Sequence, residues 1–164
     1  DGALQRAPSL RELIRESLSI KRKMIERDEF DEGPRRVFNY GHSFGHALEG
    51  YCGYELKHGL AVAVGMDLAN AVSVDLGLQT EETRERIRGS LEKVWRGARL
   101  PPMDLSRYLG FLAKDKKNTD SGTFLILAAE PGNVFIKEVE INERFEKTLE
   151  ACFDRFHRET DLRA

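Results

Sequence analysis

The stretch that most limits how this chain can fold runs from residue 59 to 76. It contains Leu60, Ala61, Val62, Ala63, Val64, Met66, Leu68, Ala69, Ala71, Val72 and Val74, with Asp67 and Asn70 as the only strongly polar interruptions. Small apolar side chains therefore point in nearly every direction around a helix, and a helix apolar all round is buried all round. Other elements must wrap it, and Gly77 stands where a C-cap is expected. No run approaches the ~18–20 apolar residues of a membrane span.

The segments on either side read as its wrapping. Ser9 and Glu12 form a capping box, and Leu10, Leu13, Ile14, Ser17, Ile20, Met24 and Ile25 recur at helical spacing, predicting a helix over about residues 10–27 with Lys21 at the edge of the stripe. The acidic run Asp28, Glu29, Asp31, Glu32, followed by Gly33-Pro34, breaks that helix and reads as a solvated turn. A second helix begins somewhere in 35–42 and ends near Tyr51–Gly53. Thr80 caps a charged helix over about 81–97, with Ile87, Leu91, Val94 and Trp95 expected inward. Leu100-Pro101-Pro102 is a stop, and Asp104 caps a short helix burying Leu105, Tyr108, Leu109 and Leu112. The basic knot Lys114–Asn118 precedes two β-like runs, 123–127 and 134–139, read as a hairpin across Glu130-Pro131-Gly132-Asn133. Asn142 caps a last helix over about 143–157, with Phe145, Leu149, Cys152, Phe153 and Phe156 inward. The expected fold is mainly α: a single helical domain carrying one small β-hairpin.

A formal net charge of −2, with the basic residues spread along the chain, argues against a nucleic-acid partner. Cys52 and Cys152 form neither a CxxC nor a disulfide framework, so we expect a reducing compartment, the cytoplasm. The N-terminus lacks both a signal-peptide shape and a starting Met, and the sequence is expected to be part of something longer.

Three of the four histidines fall in two short pieces, Arg35-Arg36-Val37-Phe38-Asn39-Tyr40-Gly41-His42-Ser43-Phe44-Gly45-His46-Ala47-Leu48-Glu49 and Lys57-His58-Gly59. On a helix His42 and His46 face the same side, one turn apart. A helix-borne His42 and a His58 opening the next helix can point at one spot, which makes them the metal candidates. His46, one turn on, suits acid/base or anion-binding work. No nearby carboxylate has an evident claim as third ligand, so that ligand is expected from outside this chain. Arg35 can grip a carboxylate or phosphate bidentately, and Asn39 would offer amide contacts on the same helix face one turn before His42. Lys21 and Lys117 are further cations. Taken singly, these histidines and lysines are more often packing and solvated surface. Together with Arg35, Asn39 and the glycines they describe an anionic, hydroxylated small molecule held against a divalent metal.

Arg35-x3-Asn39-Tyr40-Gly41-His42-x2-Gly45-His46-Ala47-Leu48-Glu49, followed by His58-Gly59-x-Ala61-Val62-Ala63-x-Gly65-Met66, closely resembles the 3-dehydroquinate synthases. The resemblance reaches back to Lys21 and Asp28-Glu29 and forward to Asp115-Lys116-Lys117. It implies the C-terminal helical half of a two-domain α/β plus α enzyme, with an NAD-binding domain upstream. It further implies a catalytic zinc (or cobalt) held by His42, His58 and a Glu lying before the present sequence. Lys21, Arg35, Asn39, His46 and Lys117 match substrate-binding or catalytic positions, Lys117 being preferred to Lys116. Lys21 and Arg35 are assigned to the substrate carboxylate, and Asn39, His46 and the lysine knot lie nearer its phosphate. The implied reaction converts 3-deoxy-arabino-heptulosonate 7-phosphate into 3-dehydroquinate and phosphate in the shikimate pathway, in a cytoplasmic homodimer.

One position departs from the family pattern: Leu60 follows His58-Gly59 where a Glu is usual, which bears on the support of the metal ligand. Cyclases making inosose or valiolone rings share the histidine pattern but generally lack the Arg35–Asn39 pair. They are the nearest alternative, followed by a metal-dependent polyol dehydrogenase and a non-catalytic interaction domain.

Overall fold

The computed structural model describes residues 9–114 and 122–161. They form six α-helices, one 3₁₀ helix and one two-stranded antiparallel sheet. The chain divides into two compact units, Asp1–Phe38 and Asn39–Ala164.

In the first unit, α1 (Leu10–Arg27) starts as expected: the Ser9 hydroxyl accepts the Glu12 N–H while the Glu12 carboxylate accepts the Ser9 N–H. Its apolar stripe is exposed in this structure, with no α1 residue buried. The acidic run beyond it is more ordered than a solvated turn. Asp28 accepts N–H bonds from Glu32 (3.1 Å), Gly33 (2.9 Å) and Arg35 (3.0 Å), so one carboxylate folds residues 28–35 into a loop. A 3₁₀ helix, Pro34–Asn39, follows.

The second unit is built around α3 (His58–Asp75), where twelve of eighteen residues are buried, as its composition requires. Around it pack α2 (His42–Tyr51), α4 (Glu81–Trp95), α6 (Glu143–Asp161) and strand β1 (Thr123–Glu130). Strand β2 (Asn133–Val139) completes the hairpin, with Ile126 opposite Ile136 and Leu127 opposite Phe135. The hairpin is longer than its apolar runs, because the turn contracts to Pro131-Gly132, where Gly132 has φ +90°. Helix α5 (Leu105–Leu112) is capped by Asp104, which accepts the Arg107 N–H at 3.0 Å. It closes the core through Tyr108, whose hydroxyl donates to the Phe44 carbonyl at 3.1 Å. Helix α6 buries Phe145, Leu149, Cys152, Phe153 and Phe156, as its spacing predicts.

Helix α4 departs from expectation. Val94 is 53% exposed, whereas Arg84 and Arg88 are buried. The cause is Asp67, an α3 residue 5% exposed, which lies 3.3 Å from the Arg84 Nε and 3.2 Å from the Arg88 Nε. A buried carboxylate recruits its counter-ions, and that outweighs the apolar pattern of the exposed side. Asn70 is likewise occupied: it accepts from the Tyr40 hydroxyl and from Gln79 Nε2 (3.3 Å), and Gln79 also donates to the β1 carbonyl of Ala128 (3.1 Å). This chain of amides ties the turn before α2 to the centre of the unit.

Candidate metal and substrate site

The site begins with a break in the helix. The sequence placed Asn39 and His42 on one helical face, but Asn39 ends the 3₁₀ helix and α2 starts only at His42. Between them Gly41 adopts φ +78°, a left-handed conformation that a side chain would oppose. The reorientation lets α2 lie flat against α3. Glycines let the two backbones come close: a Cβ on Gly65 would stand 2.2 Å from the Gly41 oxygen, and one on Gly45 would stand 3.0 Å from the Val62 Cα.

This close approach brings the first residue of α3 to the exposed face of α2. The ring centroids of His42, His46 and His58 lie 5.4–5.7 Å from one another. Two imidazoles sharing one tetrahedral ion, with metal–nitrogen bonds of about 2.1 Å, have centroids about 5.2 Å apart, close to the spacing of these three rings. Further along the same face, at i+7 from His42 and i+3 from His46, is Glu49, whose Oε1 lies 3.1 Å from the His58 Nδ1. The ligand atoms of His46, Glu49 and His58 all lie within 4.8 Å of one another. The sequence reading found no carboxylate with a claim on this site. Glu49 belongs to the motif, but its claim depends on His58 arriving from another helix.

The protonation pattern suits the chemistry. The Tyr40 carbonyl can only accept, so His42 donates to it through Nδ1 (3.4 Å), leaving the Nε2 lone pair for a metal. Burial holds His42 below the usual imidazole pKa, and the neighbouring His46 and His58 push the same way, against Tyr40 and Glu49. A neutral ring is the form that binds metal. The exposed His46 ring stands edge-on to that of His42 and stacked on that of His58.

The other predicted residues are placed as follows. Lys21 is an exposed residue of α1, and Arg35 is the second residue of the 3₁₀ helix, with Nη1 donating to the Glu29 carbonyl at 2.7 Å and the Asp28 carbonyl at 3.5 Å. Asn39 is half-buried. Lys117 lies outside the described residues. Leu60 is partly buried against the core. Elsewhere, a groove of about 710 Å³ between α3, α4 and α6 is lined by Arg84, Arg144, Lys147 and Arg155. Each of these is already paired, with Asp67, Asp75, Glu143 and Glu85 respectively, and Arg158 is the fifth basic residue of the lining.

Asp28 supplies a first prediction. Partial burial would raise its pKa, but the N–H donors of Gly33, Arg35 and Glu32 together with the Arg35 charge hold it below the ordinary carboxylate value of 3.8. A depressed carboxylate stabilises the fold above its unfolded pKa and loses that contribution as pH falls through the folded value. The loop over 28–35 is therefore expected to stay ordered to below about pH 4 and then loosen, releasing Arg35. Hydrogen exchange at the Gly33 and Arg35 amides should report this, and protection unchanged in Asp28→Ala would contradict it.

The chain is similar to several known proteins. The family model described as 3-dehydroquinate synthase C-terminal matches residues 3–118. The 3-dehydroquinate synthase of Sulfurovum sp. (strain NBC37-1) is 40% identical over 119 residues, 72% of this chain and 34% of that protein. That of Acidithiobacillus ferrooxidans (strain ATCC 53993 / BNL-5-31) is 35% identical over 159 residues, 96% of this chain and 44% of that protein. The chain thus spans less than half the length of these relatives. In fold it is similar to 2-deoxy-scyllo-inosose synthase, crystallised with carbaglucose-6-phosphate, NAD⁺ and Co²⁺, with a TM-score of 0.73 at 22% identity over 84% of this chain and 41% of that one. It is also similar to the 2-epi-5-epi-valiolone synthase of Streptomyces hygroscopicus subsp. jinggangensis 5008, with NAD⁺ and Zn²⁺ bound, with a TM-score of 0.71 at 22% identity over 87% of this chain and 39% of that one. A family match over residues 3–118, with relatives 35–40% identical over most of the chain, leads to one conclusion: the chain belongs to the 3-dehydroquinate synthase C-terminal family.

Proposed function

We propose that this chain is the metal- and substrate-binding part of a 3-dehydroquinate synthase, which converts 3-deoxy-arabino-heptulosonate 7-phosphate to 3-dehydroquinate and phosphate with NAD and zinc or cobalt. The observation that carries the reading is the meeting of His42, His46 and His58 at 5.4–5.7 Å within the motif matched by the family model. His42 and His58 would hold the metal through Nε2. When bound, the metal supplies Lewis-acid polarisation of a hydroxyl oxygen, and NAD supplies reversible hydride acceptance at that carbon. His46 takes up or returns a proton beside the metal, toward the substrate phosphate. Lys21 and Arg35 would bind the substrate carboxylate, and Asn39 and Lys117 would serve its phosphate. The whole enzyme works as a homodimer in the cytoplasm. Two free thiols, Cys52 and Cys152, and the lack of a membrane-spanning helix among the described residues are in keeping with that setting.

The test uses the intact protein with the heptulosonate phosphate, NAD and zinc or cobalt, following phosphate and NADH in one cuvette. Phosphate release without NADH accumulation is expected, because the hydride taken up is returned in the same cycle. Steady NADH growth without phosphate would identify a dehydrogenase instead. Silence with this substrate, but phosphate release from glucose 6-phosphate or sedoheptulose 7-phosphate, would identify another cyclase.

A further inference from the structure

Resting on the assignment of His58 to the metal, we propose that Glu49 is the positioning residue of that ligand: it accepts the His58 Nδ1–H and so presents the Nε2 lone pair to the metal. The inference starts from what each group can donate. An ionised carboxylate only accepts, so the 3.1 Å contact between the Glu49 Oε1 and the His58 Nδ1 requires the proton to be on Nδ1. Neutral imidazole then has its free lone pair on Nε2.

The need for such a residue follows from where His58 sits. It opens α3, its side chain is 56% exposed, and its ring lies 5.4 Å from that of His42 and 5.7 Å from that of His46. An exposed side chain left alone samples several rotamers, and binding a metal must then first order it. Glu49 is only 15% exposed and is borne by α2 between the buried Leu48 and Tyr51, so its carboxylate is held by a packed helix. It passes that order to His58. The role parallels that of the Tyr40 carbonyl on His42, at 3.4 Å, so both candidate ligands have the same tautomer fixed from behind. Leu60, the residue two beyond His58, carries no acceptor and cannot substitute.

The rival role for the same carboxylate is direct ligation, with His46 and His58. Glutamine separates the two, since its amide oxygen still accepts an N–H but is a much poorer metal ligand. The experiment uses the intact protein stripped of metal, as parent, Glu49→Gln, Glu49→Ala and His58→Ala, each checked for fold by circular dichroism. Zinc affinity is read by competition with a chelator, and the His58 tautomer by ¹⁵N chemical shifts of labelled histidine in the metal-free protein. Expected are a parent His58 in the Nδ1–H form, the same form and near-parent affinity in Glu49→Gln, and a mixed tautomer with affinity down about 10–100-fold in Glu49→Ala. An Nε2–H parent ring would overturn the proposal even if Glu49→Ala failed to fold. So would a Glu49→Gln as weak as Glu49→Ala, which would make Glu49 a ligand, or a Glu49→Ala that binds like the parent while His58→Ala does not. Unchanged affinity in His58→Ala would instead remove the metal assignment itself, and this proposal with it.

Discussion

Gly65→Ala is expected to destabilise the protein and to empty the metal site together. The new Cβ would stand 2.2 Å from the Gly41 carbonyl oxygen and 2.8 Å from the Gly45 nitrogen, both backbone atoms that cannot turn aside. These two atoms form the first hydrogen bond of α2, Gly45 N–H to the Gly41 carbonyl at 2.9 Å. Alanine gains about 1 kcal/mol over glycine in helix propensity. Overpacking a tight core typically costs 1–3 kcal/mol, and more where backbone meets backbone, so a net loss of about 2 kcal/mol is expected. To relieve the clash α2 and α3 must part by about an ångström, and His58 travels with α3 while His42 and His46 travel with α2. Gly89→Ala is the control: nothing lies within 4 Å of its Cβ position on α4, so it should stabilise by about 0.5–1 kcal/mol. Urea unfolding and zinc binding of the intact protein measure both. A Gly65→Ala protein as stable as the parent, with full metal affinity, would refute the glycine contact as the device that assembles the site.

Asp67→Ala should be the most damaging change away from the histidines. Its carboxylate neutralises Arg84 and Arg88 in the space between α3 and α4, where all three residues are at most 9% exposed. Burial opposes the charge on Arg84, but Asp67 raises its pKa above the usual value, so the guanidinium stays charged whatever the pH. Removing the carboxylate leaves two buried cations, with Glu81 and Glu159 at the margins as their remaining partners. Breaking a buried pair in this way costs about 3–5 kcal/mol. Replacing the ion pair by apolar groups does not, so Asp67→Leu combined with Arg84→Met should recover part of the loss. A cost below about 0.5 kcal/mol for Asp67→Ala would place the network among surface pairs of little weight.

Much of this is written locally. The Ser9–Glu12 cap, the all-round apolar α3, the 3.6-residue stripe of α6 and the turn residues at Pro131-Gly132 each depend on neighbours a few positions away, and their boundaries could be read within a few residues. The i, i+4 pair of His42 and His46 is equally local. Other features need a partner that the linear order does not name. Arg84 and Arg88 are charged residues that the pattern puts outside, and they go inside because α3 presents Asp67 to them. Glu49 looked like an ordinary helix carboxylate until the glycine contact between α2 and α3 set His58 against it. Asp28 read as solvent-facing charge, yet it organises a loop by accepting three N–H groups. Periodicity tells which face of a helix is apolar, whereas which polar group meets which across two helices is set by their crossing and by how closely their backbones approach. The elements and the histidine motif were therefore fixed by sequence alone, and the acceptor behind His58 was decided only when the helices packed.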